Sequence, residues 1–246
     1  MAKSSGLGDN FYIGGYDLSG DVGSLGTISN SVATLETTGI NKSAMERLTG
    51  QRNGTIEFTS FFNDAALQEH VALKSLPTTD RIATYARGTT LGNQAACMVC
   101  KQINYDGTRA ADGAFTFNVQ ALSNAYGIEW GNLLTAGVAT ATGAGNQTSI
   151  DTGGSLSFGA QIYLQVFAFS GTDATVKVQD SADNAAFATI QFMTQTTTAP
   201  GAERIALSNT STVRRYVRAA IDTAGGFSSL SFAVVIVKND FAGLVF

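Results

Sequence analysis

Apolar residues recur at every second position through much of this chain, and that period leaves few folds open except β-sheet. In Gly54–Phe62, Ile56 and Phe58 alternate with Thr55, Glu57 and Thr59; in Ala114–Leu122, Phe115, Phe117 and Val119 alternate with Thr116, Asn118 and Gln120. Successive side chains of a strand point to opposite faces, so each run offers one apolar face to a core. Asn10–Ile13, Val22–Ile28, Ser31–Thr37, Asp80–Thr84 and Ala95–Tyr105 read as further strands, separated by Gly-rich turns such as Gly14-Gly15 and Ser19-Gly20. One helix is expected over Ala65–Leu76, capped by Asn63 or Asp64 and stopped by Pro77. Its apolar stripe is Leu67, Val71, Leu73 and Leu76.

The pattern lapses over Thr135–Gly154, where small residues and glycines predict a linker or a long exposed loop. Beyond it the chain reads as β alone. Strands are expected at Ser155–Ser170, Ala174–Gln179, Ala186–Phe192, Arg204–Leu207, Arg214–Ile221 and Ser229–Val237, and this spacing suggests a jelly-roll or immunoglobulin-like sandwich. The fold class is therefore mainly β. Residues 1–134 form a sandwich or barrel with one flanking α-helix, 135–154 a linker, and 155–246 a second β-sandwich. Only 14% of the residues are charged, against roughly a quarter in an ordinary soluble domain. Much of the surface is thus neutral, and neutral surface tends to be covered by a partner.

The net charge of −4 and the lack of any basic run argue against a protein that grips nucleic acid. Arg214, Arg215 and Arg218 are the densest cationic group; alternation sets Arg214 and Arg218 on one face and Arg215 on the other, as a solvated or salt-bridged surface. The N-terminal MAKSSGLGDN is polar, and no apolar run approaches the roughly 20 residues of a membrane span, so neither a signal peptide nor a membrane segment is expected. Cys97 and Cys100 form a C-x-x-C inside a strand, where a separation of three sends the side chains to opposite faces. A zinc site needs further ligands, and His70 is the lone histidine, so both thiols read as structural.

No catalytic motif surrounds His70, which reads as a packing or surface residue. Asp173, Asp180 and Asp183 lie in loop-like segments but form no dense calcium motif. Glycoside hydrolysis is disfavoured, since carboxylates alone are no signal and Trp130 is the one tryptophan available as a sugar platform. Four N-x-[ST] triplets, at Asn41, Asn53, Asn146 and Asn209, mean little without a secretion signal. No enzyme activity, cofactor or metal site is expected.

Three groups stand at a suggestive spacing: Asp17-Leu18-Ser19-Gly20, the run Glu46-Arg47-Leu48-Thr49-Gly50-Gln51-Arg52-Asn53-Gly54, and Phe61-Phe62-Asn63-Asp64. In this order they resemble the opening of the tail tube proteins of long-tailed, siphovirus-type phages. The second half, with VKVQDSADNAAFATI and VRRYVRAAID, looks like the β-sandwich appended to many phage structural proteins and, more distantly, like carbohydrate-binding sandwiches. The resemblance implies a major tail tube subunit in a virion assembled in the host bacterial cytoplasm. Hexameric rings of the chain would stack into a hollow conduit for DNA ejection, through which DNA slides without specific binding. The tape measure, tail terminator and distal tail proteins of the same phage are the implied partners, with no membrane. The polar segment Asn41–Asn53 would be a loop that orders against the next ring, with Asn41, Lys42, Glu46, Arg47 and Arg52 as contact residues. A capsid decoration protein and a glycan-binding tail protein remain the alternatives.

Overall fold

The computed structural model describes residues 5–241; the first four residues of the polar N-terminal stretch and the last five of the C-terminal half lie outside it. The N-terminal half carries β1 (Asn10–Ile13), β2 (Tyr16–Asp17), β3 (Val22–Glu36), β4 (Arg47–Phe61), α1 (Glu69–Leu73), β5 (Arg81–Ala86), β6 (Gln94–Gln102), β7 (Asp106–Arg109), β8 (Phe115–Ser123) and β9 (Glu129–Leu133). The rest of the chain carries β10 (Ala139–Ala141), β11 (Gly145–Asn146), β12 (Ile150–Asp151), β13 (Ala160–Gly171), β14 (Thr175–Ser181), β15 (Ala188–Phe192), β16 (Gly201–Ala206), β17 (Tyr216–Asp222) and β18 (Phe227–Lys238). Every pairing is antiparallel, in two sheets, so the chain is mainly β with one small helix as the alternation predicts.

The larger sheet runs β16-β13-β18-β9-β6-β5-β1-β2, and β8, β4, β3 and β7 continue from β6. On one edge β6 changes partner, holding β9 along Gln94–Cys97 and β8 along Cys100–Gln102. The smaller sheet joins β17, β14 and β15, with β11 and β12 both on β17. Thr135–Gly154, read as a linker or exposed loop, therefore contains three short strands that pair with β18 and β17.

These strands enclose three apolar cores. Ile56, Phe58, Met98, Cys100, Phe117 and Val119 fill the N-terminal one. Ile162, Leu164, Val176, Val217, Val234 and Ile236 fill the space between the two sheets of the C-terminal half. The third lies between the halves, where Tyr12, Ile82, Cys97 and Val99 meet Tyr163, Ala233, Val235 and Val237. β13 and β18 are therefore buried on both faces, which is why Ala233–Val237 is an unbroken apolar run. Cys97 and Cys100 fall in different cores, on opposite faces of β6 as the spacing requires, and burial pushes both thiols up, Cys100 to about 12.

Polar groups lock this junction. Arg204 on β16 holds Glu129 on β9 with two bonds, Nη2 to Oε1 at 3.0 Å and Nε to Oε2 at 3.1 Å, while its guanidinium lies 3.8 Å from the centroid of Tyr126. Tyr163 donates its hydroxyl to the same carboxylate. Gln165 accepts from Gly15 N–H at 2.7 Å and donates to the Ile82 carbonyl at 2.9 Å and to Thr84 Oγ1 at 3.1 Å.

The helix is one turn, not the three expected. Leu67 sits at φ 65° and Leu76 at φ 42°, so the backbone turns left-handed on both sides of Glu69–Leu73. Asn63 still acts at its entrance, with Oδ1 accepting from Ala65 N–H and its carbonyl accepting from His70 N–H. Of the expected stripe only Leu73 is buried; Leu67, Val71 and Leu76 are exposed. The short turn instead seats Glu69 in the protein, where burial raises its pKa although Ser60 and Tyr105 donate to the carboxylate.

Candidate functional site

The most unusual element is the β3–β4 hairpin, two strands of 15 residues each. The inner part of β4, Thr55–Phe61, is sandwiched between β3 and β8. Beyond Thr55 the ladder to β8 ends, and from Asn30 and Gly54 outward the two strands pair, among the described residues, only with each other. An isolated two-stranded ribbon is marginal in water, so this arm depends on its root and its turn for order.

Three contacts build the root. The Asn30 side chain donates to the Ile128 carbonyl at 2.9 Å and accepts from Ile128 N–H at 3.2 Å, reading both backbone groups of one residue. Gly54 N–H donates to Ser123 Oγ at 2.8 Å. A Cβ on Gly54 would lie 3.1 Å from Ile128 Cγ1 and from Met98 Sδ, so glycine lets the arm leave flush with the core. Replacing Asn30 with alanine strands the Ile128 amide, a cost of about 1–3 kcal/mol if it stays buried. We expect hydrogen exchange to accelerate at arm amides 31–36 and 47–53 while β5 and β6 stay protected; unchanged arm exchange would show that the root lies elsewhere.

The turn is closed by Thr37 N–H on the Glu46 carbonyl at 2.9 Å and by Glu46 N–H on Thr38 Oγ1 at 3.0 Å. The residues singled out in the sequence all lie on this arm, but not in one loop. Asn41 and Lys42 are in the turn, and Glu46 closes it and pairs with Lys42 at 3.0 Å, an exposed pair. Arg47 and Arg52 belong to β4, opposite Glu36 and Val32. The second half of the expected Asn41–Asn53 loop is thus strand, because Leu48, Thr49 and Arg52 find cross-strand partners in Leu35, Thr34 and Val32.

The alternation of Ser31–Thr37 predicts a strand, but not that the apolar side chains of the arm stay uncovered. Val32, Leu35, Ile40, Met45 and Leu48 are exposed, Leu35 and Leu48 directly opposite each other at 59% each. Gly50 and Gln51 stand against Ala33 in a bulge, and the leucine pair lies seven residues along β3 from Ile28, which faces the core, so it looks to the other side.

At the opposite end of β4, Phe62 and Phe115 are 38% and 39% exposed with ring centroids 5.1 Å apart. Beneath them Tyr105 stacks on Phe117 at 4.0 Å, and His70 packs 4.9 Å from Phe62 with Nδ1 on the Tyr105 hydroxyl at 2.9 Å. His70 is therefore a packing residue.

The acidic residues weighed for a metal are taken up separately. Asp180 binds Arg214, Asp173 accepts from Ala224 and Gly225 N–H, and Asp183 accepts from Ala185 and Ala186 N–H. Arg215 pairs with Asp151 at 2.6 Å. Since β17 begins at Tyr216, the alternation expected from Arg214 starts only after it; Arg218 donates to Gln179 and lies 3.9 Å from the Phe187 ring centroid.

Fold and arm together define a mainly β chain with an unpartnered two-stranded projection. No family model matches it, and no curated protein does. Among solved structures it is similar to the Dit protein of phage SPP1, described as a hub of the adsorption apparatus in phages infecting Gram-positive bacteria. The two share 12% identity over 94% of this chain and 99% of that one, with a TM-score of 0.35. A chain of the phage p2 baseplate in its activated conformation with strontium is similar at 9% identity over 95% of this chain and 99% of that one, with a TM-score of 0.36.

Proposed function

We propose that this chain is a structural subunit of a phage tail, the tail tube subunit, which assembles with copies of itself into stacked rings around a hollow conduit. The arm carries the reading. A long hairpin with open backbone edges and uncovered leucines is costly to leave in water and is an established route to association between chains. The resemblance noted in the sequence falls on the elements that build it: Asp17–Gly20 form the turn into β3, with Leu18 buried, and Glu46–Gly54 form the returning side of the arm. A mildly acidic, non-enzymatic subunit suits a tube through which DNA slides without sticking. In this reading the tape measure, terminator and distal tail proteins of the same phage are its neighbours, assembly takes place in the host cytoplasm, and Asn41, Lys42, Glu46, Arg47 and Arg52 touch the adjacent subunit.

Negative-stain electron microscopy of the full chain at rising concentration, with tail initiator components added if needed, tests it. The comparison is a variant whose residues 34–49 are replaced by an Asn-Gly turn. We expect rings or tubes of uniform width from the native chain and none from the variant. Native chains that remain monomers or trimers would overturn the reading in favour of capsid decoration or glycan binding. Tubes that form equally well without the arm would remove the arm from it.

A further inference from the structure

We propose that the arm of one copy docks on the Phe62–Phe115 end of the next, head to tail. This rests on the self-assembly reading and names the two surfaces that meet. The two uncovered apolar sites lie towards opposite ends of β4, Leu48 near its start and Phe62 one residue past its end. Leu48 and Phe61 are thirteen positions apart on β4 (61 − 48), about 44 Å at about 3.4 Å per residue. The arm therefore does not reach the aromatic end of its own chain, and the match between the two ends is what assigns that place to the arm of a second copy.

The two ends complement each other in three ways. The arm offers Leu35 and Leu48, and the far end offers a preorganised aromatic surface, Phe62 and Phe115 on the Tyr105–Phe117 stack, with Tyr105 held by Glu69 at 3.0 Å. Rings fixed in this way lose little freedom on docking. Backbone edges also match. Among the described residues β7 is paired only with β8, which sets Arg109 opposite Phe115, and all four of its residues are exposed, so an open edge lies beside the aromatic surface. The arm has open edges beyond Asn30 and Gly54, and adding one to β7 continues the sheet from copy to copy. Charge is the third match. The arm carries Lys42, Arg47 and Arg52 against Glu36 and Glu46 (3 − 2 = +1); the exposed charged residues close in sequence to Phe62, His70 and Phe115 are Lys74 and Arg109 against Asp64, Asp106 and Asp112 (2 − 3 = −1).

Such a contact joins two different patches, so it propagates into a closed ring or an open filament and never stops at a dimer. That property is its test. A Leu35→Ser/Leu48→Ser variant keeps the aromatic end, and a Phe62→Ser/Phe115→Ser variant keeps the arm. Each alone is expected to form no rings, whereas an equal mixture forms a heterodimer and nothing larger in sedimentation velocity, because one productive interface remains. Should the aromatic variant misfold, a second measurement decides. Leu48→Cys with Phe115→Cys in the otherwise native chain, oxidised where the native chain forms rings, is expected to give a ladder of disulfide-linked multimers; Cys97 and Cys100 are buried and stay out of it. Native rings accompanied by neither heterodimer nor ladder overturn this docking and leave self-assembly standing. Crosslinked dimers from Leu48→Cys alone overturn it in favour of arm-to-arm pairing. A native chain that never assembles overturns both.

Discussion

Replacing Arg204 with alanine is expected to cost about 3–5 kcal/mol of stability, because removing one member of a buried pair leaves the other charge uncompensated. The Arg204 and Glu129 side chains retain 6% and 3% of their accessibility, and between them they satisfy the carboxylate twice over. Burial alone pulls the Arg204 pKa down, but the bonds to Glu129 and Tyr163 outweigh it and hold the guanidinium charged. Burial beside the same carboxylate keeps the Tyr163 phenol protonated. Urea unfolding of Arg204→Ala checks this, alongside an Arg204→Met/Glu129→Leu double variant. The double variant should lose less than the single one, since it buries no orphan charge. A loss below about 1 kcal/mol for the single variant, the range of an exposed pair, would mean that water reaches the junction.

A second large effect is expected from Gly15→Ala. Gly15 lies at φ 84°, and a Cβ there would stand 2.3 Å from Gly201 N and 2.5 Å from the Val166 carbonyl oxygen. Both obstacles are backbone from the C-terminal half, so relief requires the β1–β2 turn to part from β13 and β16. The left-handed conformation costs about 1 kcal/mol and overpacking about 1–3 more. Gly14 is the control. Its φ is also positive, at 59°, but the nearest atom to an added Cβ is Arg81 Nε at 3.0 Å, on a side chain and not on backbone. Gly14→Ala should therefore lose only about 1 kcal/mol. Equal losses in denaturant titrations of the two variants would contradict the close approach of the halves at Gly15.

Strand identity was legible wherever an apolar face alternated with a polar one. Asn10–Ile13 has the bounds expected, and Phe117 and Val119 face the core as their spacing requires. The readings failed where a neighbour distant in sequence decides. Val22–Ile28 and most of Ser31–Thr37 are one strand, Val22–Glu36, in the structure, because β4 pairs with both along one ladder interrupted only by bulges. β7 and β9 were not read as strands: all four residues of β7 are exposed, and β9 packs Glu129 inward where an apolar residue would have signalled a strand. The helix pattern of Ala65–Leu76 was overridden by the seat that Ser60, Tyr105 and Asp21 make for Glu69 and its amide.

The arm shows where the candidate site was half visible. The polar segment Asn41–Asn53 was visible, and the family resemblance implied Asn41, Lys42, Glu46, Arg47 and Arg52 as contacts, but Leu35 and Leu48 resemble core residues in any local window. Among the described residues nothing packs across that face, and this leaves them uncovered. By itself the sequence determined the β-period, the turns between strands and the opposite facing of Cys97 and Cys100, since side-chain direction along a strand depends on local backbone geometry. The tertiary structure decided which faces are buried twice, that Glu129 meets Arg204 across 75 positions, and that the arm stands free. These are contacts between segments far apart in the chain, and no local period encodes what lies across a face.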